Sequence, residues 1–290
     1  MAESGFALPD PITPSSLRAT LDNPIPGPPV EIAKQVDISI PAEKRSIGGR
    51  LYHPVPGQVL PVVLFFHGGG WVHGTLEMFD RLCATLSSHV NCAVVSVDYR
   101  LAPEHPFPSA WEDAAASLHW VKTNHYELGI DPRRIALAGD SAGGNLAAAT
   151  TQLAIGDQSV VHQLLFYPAL DGRCNSSSFD VEHVGFLSSE QMRWYWEQYA
   201  PGELREDARV SPSLSTDLSG LAPATIIVAG NDPLHDEGVA YAHSLEQVGV
   251  EVALFDYPGA IHGFASLLGL VPLADEAVVE AAKALRAAFI

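Results

Sequence analysis

The sequence predicts an α/β protein built on one mostly parallel sheet with helices on both faces. Short apolar runs rich in β-branched and aromatic residues alternate with helical patterns along most of the 290 residues. Strands that alternate with helices pair in parallel and are covered on both sides. Two of the runs, "VVLFFHGGG" and "IALAGDSAGG", end in glycine-rich turns. In such sheets ligands gather beyond the carboxyl ends of the strands, which is where those turns lie. A composition of 47% hydrophobic and 17% charged residues is that of a folded chain with a large core.

Taken in order, the first forty residues stand apart. Pro9, Pro11, Pro14, Pro24, Pro26, Pro28 and Pro29 forbid a long helix or a central strand. "PSSLRATLD" allows one short helix, and the segment reads as an arm laid over the domain. "EIAKQVDISI" and "SIGGRLYHP" then form an antiparallel opening pair. Buried strands are expected at 62–66, 93–99, 134–139, 162–168, 225–230 and 251–258. Helical patterns occupy "AWEDAAASLHWVKTNH", "SAGGNLAAATTQLA", "DEGVAYAHSLEQVG" and "LADEAVVEAAKALRAAF". Between Leu170 and Leu221 an insertion breaks the alternation. Within it "LSSEQMRWYWEQYA" reads as a helix opened by a capping box of Ser188 and Gln191, with Met192, Tyr195, Trp196 and Tyr199 along one face. That face fits a packed helix and the roof of a pocket equally. No internal repeat is found.

The net charge of −18, from 34 acids against 16 bases, argues against a nucleic acid or an anionic membrane as partner. Cys83, Cys92 and Cys174 are too few and too scattered for a disulfide framework or a zinc site, and read as small core residues. The start "MAESGFALPDP" carries neither a basic region nor an apolar one, and no apolar run approaches the ~20 residues of a membrane span. A cytoplasmic protein without membrane anchoring is expected.

The chemistry starts at Gly139–Gly143, a G-x-S-x-G pattern. Alone the pattern is weak. Here a buried strand runs into it and an alanine-rich helix runs out, the setting of a nucleophile elbow. The sharp turn needs small neighbours, supplied by Gly139, Ala142, Gly143 and Gly144. It presents Ser141 at the carboxyl edge of the sheet, against a helix N-terminus. A serine hydroxyl needs a base to take its proton, and histidine is the usual one. Of twelve histidines, His119, His125 and His243 fall in helical patterns, whereas His262 lies in a glycine-flanked loop just past the last strand. Asp232 follows the preceding strand, with Pro233 ending it. Asp236 and Glu237 read as dipole-matched acids opening the next helix, and Asp256 lies within a strand. Ser141, Asp232 and His262 run in the chain order of an α/β-hydrolase triad and fall at one sheet edge.

Acyl transfer places negative charge on the former carbonyl oxygen, which calls for a pair of backbone N–H donors. Expected donors are the amide of Ala142, after the nucleophile, and amides of the loop Gly68, Gly69 and Gly70, where no Cβ bars the approach. A phosphate cradle is disfavoured. No G-x-x-x-x-G-K-[ST] occurs, and the loop fails G-x-G-x-x-G at His73. His67 and His73 lack carboxylate or thiolate neighbours in sequence, and no H-E-x-x-H is present, so no metal site is expected.

"HGGGWVHG", "VDYRLAPEHPFPSAWED", "GIDPRRIALAGDSAGGNLAA", "NDPLHDEG" and "HGF", in that order, resemble the hormone-sensitive lipase family of esterases, and its bacterial branch with a G-D-S-A-G elbow in particular. The match runs from about Pro61 to the C-terminus. It implies an α/β-hydrolase fold of eight strands with a helical cap, hydrolysis of carboxylic esters of short to medium acyl chains, and no cofactor. It implies Ser141 as nucleophile, His262 as general base and then acid, and Asp232 as the orienting acid. It also implies Gly69, Gly70 and Ala142 as oxyanion donors, with Gly68 shaping the loop and Arg100, Glu104 and Asp140 as scaffolding. On this reading residues 1–40 are an arm contributing to the cap, 41–174 and 208–290 the catalytic domain, and 175–207 a cap insertion. The partner is a small-molecule ester, with a homodimer left open. Two departures matter. The arm is shorter and more proline-rich than the family's cap segment, which predicts a more open acyl pocket. His235 stands where the family commonly has arginine, which bears on the support of Asp232. Two other functions keep the same residues: an amidase or formamidase, and a non-catalytic ligand receptor on this fold. The intact set Ser141, Asp232 and His262 tells against the receptor.

Overall fold

The computed structural model describes residue 9 and residues 11–27, 29–183 and 185–290. The reading of the chain's first residues falls on 1–8, outside the described residues. Helix α1 (Pro14–Leu21) is opened by Thr13, whose side chain accepts the Ser16 amide. Strands β1 (Lys34–Ala42) and β2 (Arg45–His53) form the antiparallel pair, so β1 begins inside the stretch 1–40 read as an arm. Then follow β3 (Leu60–Phe66), α2 (Leu76–Val90), β4 (Ala93–Asp98), α3 (Ser109–Thr123), the single turn α4 (His125–Leu128), β5 (Ile130–Asp140), α5 (Ala142–Leu153) and β6 (Val160–Phe166). After the insertion with α6 (Ser189–Tyr199) come β7 (Ala224–Asn231), α7 (His235–Gln247), β8 (Val252–Ile261) and α8 (Pro272–Ala288).

The eight strands make one sheet in the order β1-β2-β4-β3-β5-β6-β7-β8. β2 is antiparallel to both neighbours and every other contact from β4 to β8 is parallel. In β3 the period-2 alternation sends Val62, Leu64 and Phe66 to one face and Val63 and Phe65 to the other. The first face packs α3, α5 and α7, the second α2 and α8. The central strands are therefore apolar throughout, as double coverage requires.

The sequence reading assigns no helix to 76–90. Thr75 caps α2 by accepting the Met78 amide, and Leu76, Phe79, Leu82, Cys83, Leu86 and Val90 are buried on it. These residues recur at helical spacing along one face, with polar Thr85 and Ser87 buried beside them. Cys83, Cys92 and Cys174 are buried free thiols. Register brings strand ends level: Phe66 pairs with Gly139, Asp140 with Phe166 and Asn231 with Ile261. The loops after these five strands thus open at one edge of the sheet.

Candidate active site

At that edge the turn after β5 holds Ser141 at φ 54° and ψ −119°, a left-handed conformation rarely adopted by a residue with a Cβ. Close packing explains the small neighbours. A Cβ on Gly139 would lie 2.3 Å from the Gly143 backbone, and one on Gly143 would lie 2.0 Å from the Phe66 carbonyl. Helix α5 therefore docks directly against the end of β3. Ser141 donates its amide to the Phe166 carbonyl, which ties the turn to β6.

β8 runs to Ile261, three residues beyond the expected end, so His262 follows it at once. β7 likewise ends at Asn231, directly before Asp232. Nδ1 of His262 is 2.6 Å from Asp232 Oδ2, and Nε2 is 2.9 Å from Ser141 Oγ. A carboxylate oxygen accepts, so the ring proton sits on Nδ1 and leaves Nε2 as acceptor for the serine hydroxyl. Asp232 is fully buried, and its second oxygen accepts the Leu234 amide at 2.9 Å. The support of Asp232 is therefore local backbone. His235 turns away, toward Asp236 at 2.8 Å and Asp256 at 3.4 Å. Asp236 itself accepts the Ser178 amide, while Glu237 accepts the amide of Leu170 at 2.5 Å. Glu237 is thus more than a dipole-matched acid at the start of α7. It is buried at the root of the insertion, and burial pushes its carboxyl well above the usual range.

The loop after β3 separates the three glycines. The Gly68 amide donates to Asp140 Oδ1 at 2.7 Å, so Gly68, expected among the oxyanion donors, has its N–H already engaged. Among the described residues the amides of Gly69, Gly70 and Ala142 donate to no protein acceptor. Each glycine also has a steric reason. A Cβ on Gly68 would lie 2.4 Å from Asp140 Oδ2. Gly69 has φ +113° and would meet the His73 carbonyl at 2.0 Å. Gly70 has φ +57° and would meet the Tyr195 ring at 2.1 Å. Trp71, next in line, is a non-glycine at φ 58°. Such a conformation costs of order 1–3 kcal/mol and persists only where the surroundings dictate it.

Asp140 is wholly buried, and burial pushes its carboxyl up to about 7 against the pull of the Gly68 amide. Arg100 holds Asp113 through Nε and its backbone amide. Glu104 receives both terminal nitrogens of Arg18. The remaining bonds of Arg18 were not foreseen: Nε donates to the Val72 carbonyl at 2.8 Å and Nη2 to that of Ala102 at 2.9 Å. Asp22 accepts the Gly74 amide at 2.8 Å. Helix α1 is thereby fastened to the glycine loop. Tyr167 was also missed; its ring stands edge-on to His262, centroids 4.9 Å apart. A residue so placed leaves no motif in the sequence.

A cavity of about 450 Å³ lies over Ser141 and His262, within the usual range for a small-molecule site. Its walls come from the loop (Gly69, Gly70), from the residues after α1 (Pro24, Ile25) and from the insertion (Leu187, Met192). Among the described residues no group of three or more His, Cys, Asp or Glu could hold a metal ion, and no helix is long and apolar enough to cross a membrane.

Residues 63–266 match the family model described as alpha/beta hydrolase fold. The chain is 41% identical over 282 residues to the carboxylic ester hydrolase LipN of Mycobacterium tuberculosis, covering 92% of this chain and 73% of LipN. It is 40% identical over 246 residues to an ethyl acetate hydrolase of Pseudomonas putida, covering 82% and 77%. Among solved structures it superposes on EstE1, a thermostable carboxylesterase cloned from a metagenomic library, with a TM-score of 0.91, 40% identity, and coverage of 98% of this chain and all of the other (100%).

Proposed function

This chain belongs to the α/β-hydrolase fold family, in its hormone-sensitive lipase-like branch of carboxylic ester hydrolases, and we propose that it cleaves esters of short to medium acyl chains by two acyl transfers at Ser141. The observation that carries this reading is the hydrogen-bonded chain Asp232–His262–Ser141 beside three amides without a protein acceptor. In the first transfer Ser141 Oγ bonds to the ester carbonyl carbon while His262 Nε2 takes the hydroxyl proton. The oxyanion settles on the amides of Gly69, Gly70 and Ala142. Collapse breaks the bond to the alcohol, which leaves with the proton from His262. Water then repeats the sequence on the acyl-enzyme, His262 taking its proton and returning it to Ser141 as the acid departs. Asp232, held by the Leu234 amide, keeps the imidazole in the tautomer this requires.

The segment after α1 and the insertion 175–207 act as the cap over the pocket, and their prolines and aliphatic side chains receive the acyl chain. Stopped-flow hydrolysis of p-nitrophenyl esters from C2 to C12, with p-nitroacetanilide included, tests the reading. It predicts a chromophore burst of one equivalent per active site, a broad optimum at short to medium chains, and little turnover of the anilide. Absence of a burst and of turnover on every ester would leave a ligand receptor. An anilide rate equal to the ester rate would make the chain an amidase.

A further inference from the structure

The aromatic face of α6 covers more than a core. Trp71 is fully buried, and its ring stacks on Tyr199 at 4.4 Å and 7° and lies tilted against Trp196 at 4.4 Å. Tyr195, one helical turn earlier, covers Gly70 and places its hydroxyl 3.1 Å from His73 Nε2. Both ring partners of Trp71 come from one helix of the insertion, yet neither Trp196 nor Tyr199 lines the cavity. The backbone they act on is the left-handed Trp71, directly after Gly70. That backbone is also held by Ala102, whose amide donates to the Trp71 carbonyl at 2.8 Å, and by Arg18 on the Val72 carbonyl.

We propose that α6 is the mould of the oxyanion loop: Tyr199 and Trp196 are positioning residues that hold Trp71, and through it the Gly69 and Gly70 amides, in a conformation the loop does not adopt alone. A bulky residue reverts from left-handed φ unless its side chain is captured, because the conformation itself is uphill. Capture here is by two flat rings, so the insertion affects the rate of the chemical step and not only the shape of the acyl pocket. The inference rests on the reading that these amides receive the oxyanion.

The test compares Tyr199→Leu with Tyr199→Phe, both normalised to active sites counted with a p-nitrophenyl phosphonate. Among the described residues buried Tyr199 Oη finds no hydrogen-bond partner, so phenylalanine keeps the stack and loses nothing polar. For Tyr199→Leu, kcat on p-nitrophenyl butyrate should fall by roughly 10- to 50-fold, since misplacing donors by about 1 Å approaches the loss of one. KM should stay within about threefold, because Tyr199 does not touch the cavity. Affinity for an alkyl trifluoromethyl ketone, whose adduct places an oxyanion on the same amides, should fall in parallel with kcat. Tyr199→Phe should stay within about twofold of wild type on each measure. The proposal is overturned by a leucine variant with unchanged kcat, by a raised KM with kcat kept, or by a phenylalanine variant as impaired as the leucine one. Should Tyr199→Leu yield no titratable serine, Trp196→Phe is expected to show the same split at about fivefold, and an unchanged kcat there overturns the proposal. Wild type without Ser141-dependent turnover defeats the functional reading and this inference together. Wild-type turnover with unaffected variants defeats this inference alone.

Discussion

Adding one methyl group at Gly69 probes the loop where it has least room. Its φ of +113° is closed to L-residues, and the new Cβ would lie 2.0 Å from the His73 carbonyl oxygen and 2.6 Å from its carbon. Ordinary contact begins at 3.4 Å, so the loop must open by about 1.4 Å to admit the methyl. It resists, because the amides of Val72 and His73 both donate to the Gly69 carbonyl at 3.0 Å and close the turn. A shift of that size carries the Gly69 and Gly70 amides out of reach of the oxyanion. Loss of one such donor costs about 10²–10³ in kcat, or ~2.7–4 kcal/mol, and Gly69→Ala should fall in that range. KM should change less than about threefold, since the donors act on a charge absent from the ground state. Steady-state hydrolysis of p-nitrophenyl butyrate, with sites counted by phosphonate, reads both constants. A variant within fivefold of wild-type kcat, at full site occupancy, would refute the assignment of these amides.

Other expected outcomes follow from single contacts. Burial pushes the Asp140 carboxyl up to about 7 in the folded protein, from 3.8 for an exposed one. The unfolded chain therefore ionises first as pH rises, and stability is lost between about pH 4 and 7, by on the order of 4 kcal/mol. Asp140→Asn, whose side-chain oxygen can still accept the Gly68 amide, should flatten that slope in urea titrations from pH 4.5 to 8; curves parallel to wild type would contradict it. Arg18→Ala should destabilise by about 1–2 kcal/mol, chiefly through the carbonyls of Val72 and Ala102, since the Glu104 limb is solvent-screened. It should also raise KM on p-nitrophenyl butyrate by loosening the pocket wall after α1, and an unchanged KM would detach the arm from the site. Burial pushes the thiols of Cys83, Cys92 and Cys174 up. Native protein should release no thionitrobenzoate from Ellman's reagent in an hour, and three equivalents in guanidinium.

Much of this fold is legible locally. The parallel strands announce themselves as β-rich apolar runs, and the helix at Ser188 is marked by its own capping box, which forms as read. The three strand-end residues Ser141, Asp232 and His262 are recoverable because topology alone sends the carboxyl ends of parallel strands to one edge. The glycine loop is harder. By residue type the three consecutive glycines look alike, and only the family resemblance sets Gly68 apart; its amide is taken by Asp140, a partner 72 residues away. Nothing near Gly68 signals that contact. Helix α2 is legible in the helical spacing of Leu76, Phe79, Leu82, Cys83, Leu86 and Val90, although the sequence reading above assigns no helix there; what the sequence does not show is that buried Ser87 Oγ donates to the Cys92 carbonyl at 2.7 Å. Arg18 and Asp22 are likewise silent. Apart from Glu104, their partners here are backbone groups of Val72, Ala102 and Gly74, and backbone carries no sequence signal.

The central claim, that Ser141 carries the acyl group, is tested most directly by replacing its hydroxyl. Purified Ser141→Ala, assayed beside wild type on p-nitrophenyl butyrate and examined by intact-mass spectrometry after reaction with a p-nitrophenyl phosphonate, separates nucleophile from bystander. Each wild-type chain should carry one phosphonyl adduct, mapped to Ser141, whereas the variant should carry none and lose turnover by at least about 10³-fold. Turnover retained by Ser141→Ala, or an adduct mapped to another residue, would contradict it.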